Sequence, residues 1–388
     1  MERNRITFVG LMNKARFSIG ILFFICGLNF ATWATRIPDF KSFLHLSDAE
    51  LGTVLMGLPI GSLVSLPIAG CLLTKYASKW ISMMAIVMYV LVIPALSLAA
   101  SAYSLFIGLF FFGMSGDIMN IAMNTQVVSL EAKMNKIIMS SFHAVFSIGL
   151  MAGAFLGGFL EKESYSPFEH FSFIACLNIA LVPFIIGNLL TDKPVQDESQ
   201  PKSSILNLGP YLIVLSLIAF CGMLCEGAMA DWISLYFKEY SPNSTFPITI
   251  GFSSFAAAMV IGRFFGDNIS SKYGISSILV LNGVLLSLGM LITLLVPSIY
   301  FKIGGCFIIG LGISTIVPLV YSQAGNQKEI MPSIAIAGVS TIAYIGFLLG
   351  PVIIGYLSDF IGLDKALYLL VILGFVAAYI SKTFASTK

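Results

Sequence analysis

The chain is dominated by long apolar stretches, and its charged residues, prolines and polar clusters lie mainly in the short connectors between them. A helix needs about 20 consecutive apolar residues to cross the roughly 30 Å hydrocarbon core of a bilayer. Twelve stretches reach about that length, so the pattern predicts twelve membrane-spanning helices. The predicted spans are residues 15–36, 48–73, 80–101, 103–129, 137–160, 169–190, 207–236, 246–268, 276–297, 300–322, 332–357 and 364–383.

The composition agrees with a protein embedded in the lipid bilayer. Of the 388 residues, 57% are hydrophobic and only 10% are charged, whereas soluble domains carry about 25% charged residues. The net charge of +2 is too small to favour nucleic acid as a partner. The composition therefore predicts an all-α integral membrane protein.

Lysines and arginines are concentrated in every second connector. If both termini are cytoplasmic, most of these residues fall on the inner side, and the positive-inside rule therefore predicts cytoplasmic termini. The longest polar stretch, TDKPVQDESQPKSS, has the composition of a flexible linker. We therefore predict an N-terminal six-helix bundle at 1–190, a cytoplasmic linker at 191–204 and a C-terminal six-helix bundle at 205–388.

A thin internal repeat relates the two halves. Three glycines of span five match three glycines of span eleven at one constant offset: Gly149, Gly153 and Gly158 match Gly346, Gly350 and Gly355. Small residues four positions apart allow helices to approach closely, so these rows are typical of helix packing. Repeated bundles with a site at their interface are also the architecture of many secondary transporters. The repeat predicts two pseudo-symmetric bundles.

Span four contains an unusual polar stretch, GDIMNIAMNTQ, at residues 116–126. At about 100° per residue, Asp117, Asn120 and Asn124 fall on one narrow face, while Gln126 points to the opposite side. A charge at the bilayer centre costs at least about 2.5 to 3.5 kcal/mol, so this face should meet a cavity or a partner helix.

We predict proton coupling at Asp117 and substrate binding at Asn120 and Asn124. The alternatives are a static ion pair at Asp117 and asparagines that only join helices by hydrogen bonds. Glu226, near mid-depth in span seven, is predicted as a second proton-coupling site. Asp231 lies about 140° away around the same helix, so it needs a separate role.

Further candidate substrate-binding residues lie in spans one, five and eleven. Asn29 and Trp33 share one face of span one and would offer an amide and an aromatic ring to a hydroxylated solute. His143 at the start of span five and Tyr344 in span eleven are further candidates, although a structural role is the alternative for His143.

Trp232 and Tyr236 in span seven repeat the four-residue spacing of Asn29 and Trp33. Because they lie near the outer end of their span, we expect them in the interfacial aromatic belt rather than in a site.

A resemblance to a known family rests on five segments: WATRIP (33–38), DIMNIAMNTQVVSLE (117–131), SSFHAVFSIG (140–149), EGAMADWISLYF (226–237) and GRFFGDNISSKYG (262–274). Together they resemble the major facilitator superfamily, in particular its fucose permease branch and a bacterial inner-membrane subgroup of the YbjJ type. The resemblance implies alternating access by a monomer.

The resemblance also suggests two sets of gate residues. In this family spans one and seven meet at the outer gate, which implies an ion pair between Arg36 and Asp231 when the outside is closed. Arg263 and Asp267 match part of the cytoplasmic charge relay of the family. The corresponding segment of the first half has Thr74 where an acid is usual.

The sequence departs from the family at its coupling sites. The coupling acid in the fourth helix of fucose permease aligns with Asn120, and the acid in its first helix aligns with Ala34. Gly153 is followed by Ala154 instead of the proline of the antiporter signature. If neither Asp117 nor Glu226 takes the protonatable role, the protein would be a uniporter.

These features favour a secondary active transporter of a small polar solute, a sugar or related metabolite, working by proton symport. An exporter or antiporter of amphipathic compounds is the alternative, favoured by 32 phenylalanines and 17 methionines. An enzyme is not expected, because the sequence has no H-E-x-x-H or G-x-S-x-G motif. We expect no cofactor and no metal. The absence of a phosphate loop argues against an ATP-driven pump.

Overall fold

The computed structural model describes residues 2–134, 138–191, 208–242, 244–327 and 332–385. Within these ranges every regular element is a helix. The predicted linker lies outside the described residues from position 192 onward. The helices, numbered in chain order, are α1 Glu2–Ala34, α2 Ile37–Phe43, α3 Asp48–Leu55, α4 Gly57–Lys75, α5 Ser78–Leu96, α6 Ala102–Met134, α7 Met139–Lys162, α8 Pro167–Ile186, α9 Pro210–Tyr240, α10 Ile250–Tyr273, α11 Ile275–Leu295, α12 Ile299–Ser314, α13 Ile316–Asn326, α14 Pro332–Ile361, α15 Leu363–Ala366 and α16 Tyr368–Ala385.

The helices follow the predicted spans closely. In the described part of the chain, 11 helical stretches are long and apolar enough to cross a membrane. The remaining predicted span, 246–268, corresponds to α10, whose apolar part Ile250–Gly266 is shorter. The prediction of a multi-pass, all-helical membrane protein is therefore confirmed.

Span twelve divides into α15 and α16 at Leu367, and two further predicted spans contain a break in the helix. Span two divides into α3 and α4 at Met56, and span ten divides into α12 and α13 at Thr315. In both cases a proline, Pro59 or Pro318, is the third residue of the helix that follows. Proline is tolerated in the first turn of a helix but disrupts its interior, which explains why the helix restarts at these points.

The contacts divide the chain into two compact units. The first unit comprises Met1–Asp39 and Val54–Ser199, and the second comprises Phe40–Thr53 and Gln200–Lys388. Phe40–Thr53, here called the α2–α3 segment, thus includes the end of the first apolar helical stretch and the start of the second, but belongs to the second unit.

In the first unit, α1 packs along α7 with almost no space between their backbones. A Cβ atom added at Gly149 would collide with the carbonyl oxygen of Phe24, and one added at Gly153 would lie 2.6 Å from the carbonyl oxygen of Leu28. Glycine is therefore required here because the backbone of α1 occupies the position of a side chain.

The second unit repeats this packing between α9 and α14. A Cβ atom at Gly346 would lie 2.5 Å from the carbonyl oxygen of Phe220, and one at Gly350 would lie 2.9 Å from that of Leu224. The first two glycines of each row recognised as a repeat in the sequence thus mark equivalent helix contacts in both units.

We predict that Gly149→Ala destabilises the protein, because the added methyl group can be accommodated only if α1 moves away from α7. Overpacking of this kind costs about 1 to 3 kcal/mol of unfolding free energy. The measurement is the thermal unfolding midpoint in detergent. Gly304→Ala is the matched control, since a Cβ at Gly304 meets nothing within 4 Å. Equal midpoints for the two variants would contradict the packing argument.

Candidate functional site

Asp117 lies on the face of α6 that packs against α4. Its side chain is 8% exposed, and Oδ2 accepts a hydrogen bond of 2.6 Å from Ser65 Oγ on α4. The two helices approach closely because Gly113, one turn before Asp117, has no side chain in the position occupied by the Leu58 carbonyl. The predicted partner helix for the acid is therefore α4, which supplies Ser65.

A hydrogen-bonded row continues from Asp117 along α6. The Asn120 amide hydrogen-bonds to the Asp117 carboxyl. One turn further, Asn124 Nδ2 donates to both Asn120 Oδ1 and the Asn120 carbonyl oxygen, each at 2.7 Å. The prediction that these three side chains share one face of the helix is confirmed.

Gln126 has a separate structural role. Its Nε2 donates to Ser78 Oγ at 2.7 Å and to the Leu190 carbonyl oxygen at 2.8 Å, and its Oε1 accepts from the Leu190 backbone N–H at 2.8 Å. These bonds connect α6 to the start of α5 and to the chain after α8. Gln126 therefore points away from the Asp117 row, as predicted.

The candidate residues of α1 are buried. Asn29 accepts a hydrogen bond of 2.8 Å from Asn178 Nδ2 on α8, and Trp33 is also enclosed. Among the described residues, Asn29 Nδ2 and Asn178 Oδ1 have no hydrogen-bond partner. Buried polar atoms normally have one, so this pair has spare capacity for ordered water or a solute. Sequence reasoning missed Asn178.

Arg36 is held by residues of the first unit. Its Nη1 forms an ion pair of 2.9 Å with Asp39, and its Nε donates a bond of 3.0 Å to His170 Nδ1. Arg36 Nη2 and His170 Nε2 are buried without a hydrogen-bond partner in the described part of the chain. His170 was not anticipated, and the pair with Asp231 stays a prediction.

In the second unit, Glu226 and Arg263 approach each other. Arg263 Nη2 on α10 lies 3.4 Å from Glu226 Oε1 on α9. Asp267, which was grouped with Arg263 as a gate residue, lies on α10, and its side chain is outside the described part of the structure. Asp231 is partly buried one and a half turns beyond Glu226 on α9.

The remaining substrate candidates are more exposed. His143 lies near the start of α7 and packs edge-on against Phe23, with ring centroids 5.4 Å apart. Tyr344 on α14 is 36% exposed. Neither residue takes part in the hydrogen-bonded row around Asp117.

The expectation that Trp232 and Tyr236 belong to the aromatic belt is wrong. Both side chains are buried. Lys302, which is only 5% exposed, donates a hydrogen bond of 2.9 Å to Tyr236 Oη, and Tyr236 Oη donates to the Thr293 carbonyl oxygen at 3.1 Å. The buried lysine needs this phenol, so Tyr236 is a core residue and does not lie at the lipid interface.

The α2–α3 segment is fixed within the second unit by a group of charges. Lys41 forms ion pairs with Asp48 and with Glu239, the latter at 3.2 Å. Glu239 lies near the end of α9, far away in sequence.

Further bonds hold the same segment at two other points. Lys238 Nζ donates to Ser42 Oγ at 2.6 Å, and the Asp48 backbone N–H donates to Asp359 Oδ1 at 2.8 Å. The segment is therefore anchored to the ends of both α9 and α14.

Comparison with known proteins gives one consistent family. A profile of the Major Facilitator Superfamily (MFS) matches residues 19–329. The chain is 30% identical over 351 residues to an uncharacterized MFS-type transporter of Yersinia pestis, covering 90% of each chain. It is 28% identical over 367 residues to the membrane protein MosC of Rhizobium meliloti, covering 95% of this chain and 89% of that protein.

Solved structures have the same fold at low sequence identity. A variant of the nucleoside transporter NupG superposes with a TM-score of 0.81 at 14% identity, covering 95% of this chain and 99% of NupG. A bacterial homolog of the human lysosomal transporter Spinster, inward-facing and occupied, gives a TM-score of 0.77 at 14% identity, covering 96% of each chain. At this identity the likeness concerns the fold alone.

The two amides of α6 should respond differently to mutation. Gln126→Leu removes three bonds that join separate elements and leaves buried groups unpaired, so we expect a loss of about 1 to 3 kcal/mol in unfolding free energy. Asn124→Leu should have a smaller effect on stability, because the described bonds of Asn124 stay within its own helix. Thermal unfolding midpoints in detergent test this, and a larger drop for Asn124→Leu would refute the assignment.

Proposed function

Because the chain belongs to the Major Facilitator Superfamily, we propose that it is a secondary active transporter that carries a small polar solute with protons by alternating access. The observation that supports this proposal is the hydrogen-bonded row of Ser65, Asp117, Asn120 and Asn124. An ionisable side chain inside a membrane span is costly, and such residues commonly mark substrate or ion pathways.

The row has a direction that suits coupling. Asn124 donates to Asn120, Asn120 donates to Asp117, and Ser65 also donates to Asp117. A solute that engages Asn124 would therefore disturb the donors that stabilise the Asp117 carboxylate. By thermodynamic linkage, protonation of Asp117 would change the affinity for the solute by the same factor. Couplings of this kind are typically about 1 to 3 kcal/mol.

Asp117 is a better proton site than Glu226. Ser65 and Asn120 are neutral partners, so protonation of Asp117 leaves no unpaired cation behind. Glu226 lies 3.4 Å from the Arg263 guanidinium, so this carboxyl group is already paired with a cation. We therefore assign proton coupling to Asp117 and a charge-pairing role to Glu226.

The solute is proposed to be a sugar or a related hydroxylated metabolite. Asparagine amides can both donate to and accept from hydroxyl groups, and Asn29, Asn120 and Asn124 supply such amides. The resemblance to the fucose permease branch supports sugars, and the fold shared with the nucleoside transporter NupG adds nucleosides, which carry ribose hydroxyls, to the compounds worth testing.

The proposed setting is the bacterial inner membrane with both termini in the cytoplasm. The moving bodies are proposed to be the six-helix bundles at 1–190 and 205–388.

The α2–α3 segment continues at both of its ends into the first unit, yet its side chains bond to α9 and α14. We propose that the α2–α3 segment releases α9 and α14 when the transporter opens to the side of the membrane on which this segment lies.

Asp117→Asn should separate solute binding from proton-driven accumulation. After a thermal-shift screen of sugars, nucleosides and amino acids has identified a solute, uptake is measured in proteoliposomes with an imposed pH gradient. We expect the variant to lose accumulation by about 5- to 150-fold, as loss of one coupling of 1 to 3 kcal/mol implies, while solute exchange at equal pH continues. Glu163→Gln, an exposed acid at the end of α7, is the control. Wild-type accumulation by Asp117→Asn would refute the assignment.

Linking the α2–α3 segment to α9 should stop transport reversibly. Ser42 and Lys238, joined by a 2.6 Å hydrogen bond, are replaced by cysteines in a background without native cysteines and joined with a short cleavable reagent. We expect transport to cease on linking and to return on cleavage, while either single cysteine variant is unaffected by the reagent. Undiminished transport by fully linked protein would rule out release of the segment.

A further inference from the structure

A groove of about 510 Å³ lies in the first unit between residues 13–24 of α1, the start of α7 and the last part of α8. Its described lining includes the polar residues Asn13, Arg16 and Ser141. Arg16 lies at the start of the predicted first span, 15–36, and Ser141 begins its apolar helical stretch, which favours a polar rim near the membrane surface. None of these residues takes part in the row around Asp117.

Away from the rim, the lining becomes apolar along the direction into the membrane. Ile21 and Phe24 of α1 and Leu181 of α8 belong to this part. Phe24 is eight residues beyond Arg16, which corresponds to about 12 Å along a helix axis. The groove therefore runs from the surface into the depth occupied by acyl chains.

The groove is open in its middle. A Cβ atom at Gly20 would meet nothing within 4 Å, so the helix surface there is uncovered. Phe17 on the border of the groove is 65% exposed. A long, narrow apolar ligand could thus lie against α1 without displacing any described side chain.

Arg16 gives the rim a cation suited to phosphate. Its one described bond is a long contact of 3.4 Å from Nη2 to Ser141 Oγ, whereas a guanidinium has five N–H donors. Guanidinium groups bind phosphate in bidentate fashion. Lys14, which is exposed on the same helix, is not part of the described lining of the groove.

We propose that this groove binds one anionic phospholipid, with its phosphate on Arg16 and one acyl chain along Gly20, Phe24 and Leu181. Basic pockets between spanning helices at the cytoplasmic surface are known to select anionic headgroups. A membrane lipid fits better than a soluble phosphate because the apolar lining continues to acyl-chain depth. The positive-inside prediction puts this site in the inner leaflet. The inference stands apart from the proposed transport activity.

The test uses purified full-length protein in an uncharged detergent. Palmitoyl-oleoyl phosphatidylglycerol, palmitoyl-oleoyl phosphatidylcholine and inorganic phosphate are titrated separately, and binding is followed by native mass spectrometry and thermal unfolding. We expect phosphatidylglycerol to bind most tightly and phosphate alone to have no effect. Arg16→Gln should weaken phosphatidylglycerol binding about fivefold, the value of one basic side chain at a membrane surface.

Two variants complete the test. Lys14→Gln removes the same charge from the same helix outside the groove and should leave the dissociation constant unchanged. Gly20→Leu fills the groove without touching Arg16 and should weaken binding of both phospholipids. Equal binding of the two lipids combined with no effect of Arg16→Gln would overturn the proposal. Unchanged lipid binding by Gly20→Leu, or stabilisation by phosphate alone equal to that by lipid, would also overturn it.

Discussion

A polar side chain inside a membrane-spanning helix must find its hydrogen-bond partner within the protein, because the bilayer core contains no water to supply one. The bond between Asp117 and Ser65 is the clearest case here. It requires the backbones of α4 and α6 to approach each other closely, which Gly113 allows. Asn124 and the buried Lys302 obey the same requirement, whereas Asn29 Nδ2 has no hydrogen-bond partner among the described residues.

Much of the fold could be predicted from the sequence because the thickness of the bilayer sets the length of a spanning helix and the helix sets the rotation from one residue to the next. Apolar length gave the spans, and the 100° rotation per residue correctly separated Asp117, Asn120 and Asn124 from Gln126. Two of the three glycine pairs at one constant offset corresponded to equivalent helix contacts in the two units. Each of these inferences depends only on residues close together in the chain or on a repeat of them.

Partners that come from distant parts of the chain could not be predicted. Nothing near Ser65, His170 or Asn178 in the sequence indicates that they meet Asp117, Arg36 and Asn29, since helix pairing alone brings them together. The error over Tyr236 had the same origin, because its partner Lys302 lies on α12. An aromatic residue near a span end is ambiguous until the neighbouring helices are known.

The account as a whole requires Asp117 to exchange a proton within the folded protein. Infrared difference spectroscopy of the protein in lipid, between high and low pH, measures this directly through the carbonyl stretch of a protonated carboxylic acid. We expect such a band in the wild-type protein, shifted on addition of a transported solute and missing from Asp117→Asn. An identical difference spectrum for Asp117→Asn would show that this carboxyl does not titrate, and the proposed coupling would then be wrong.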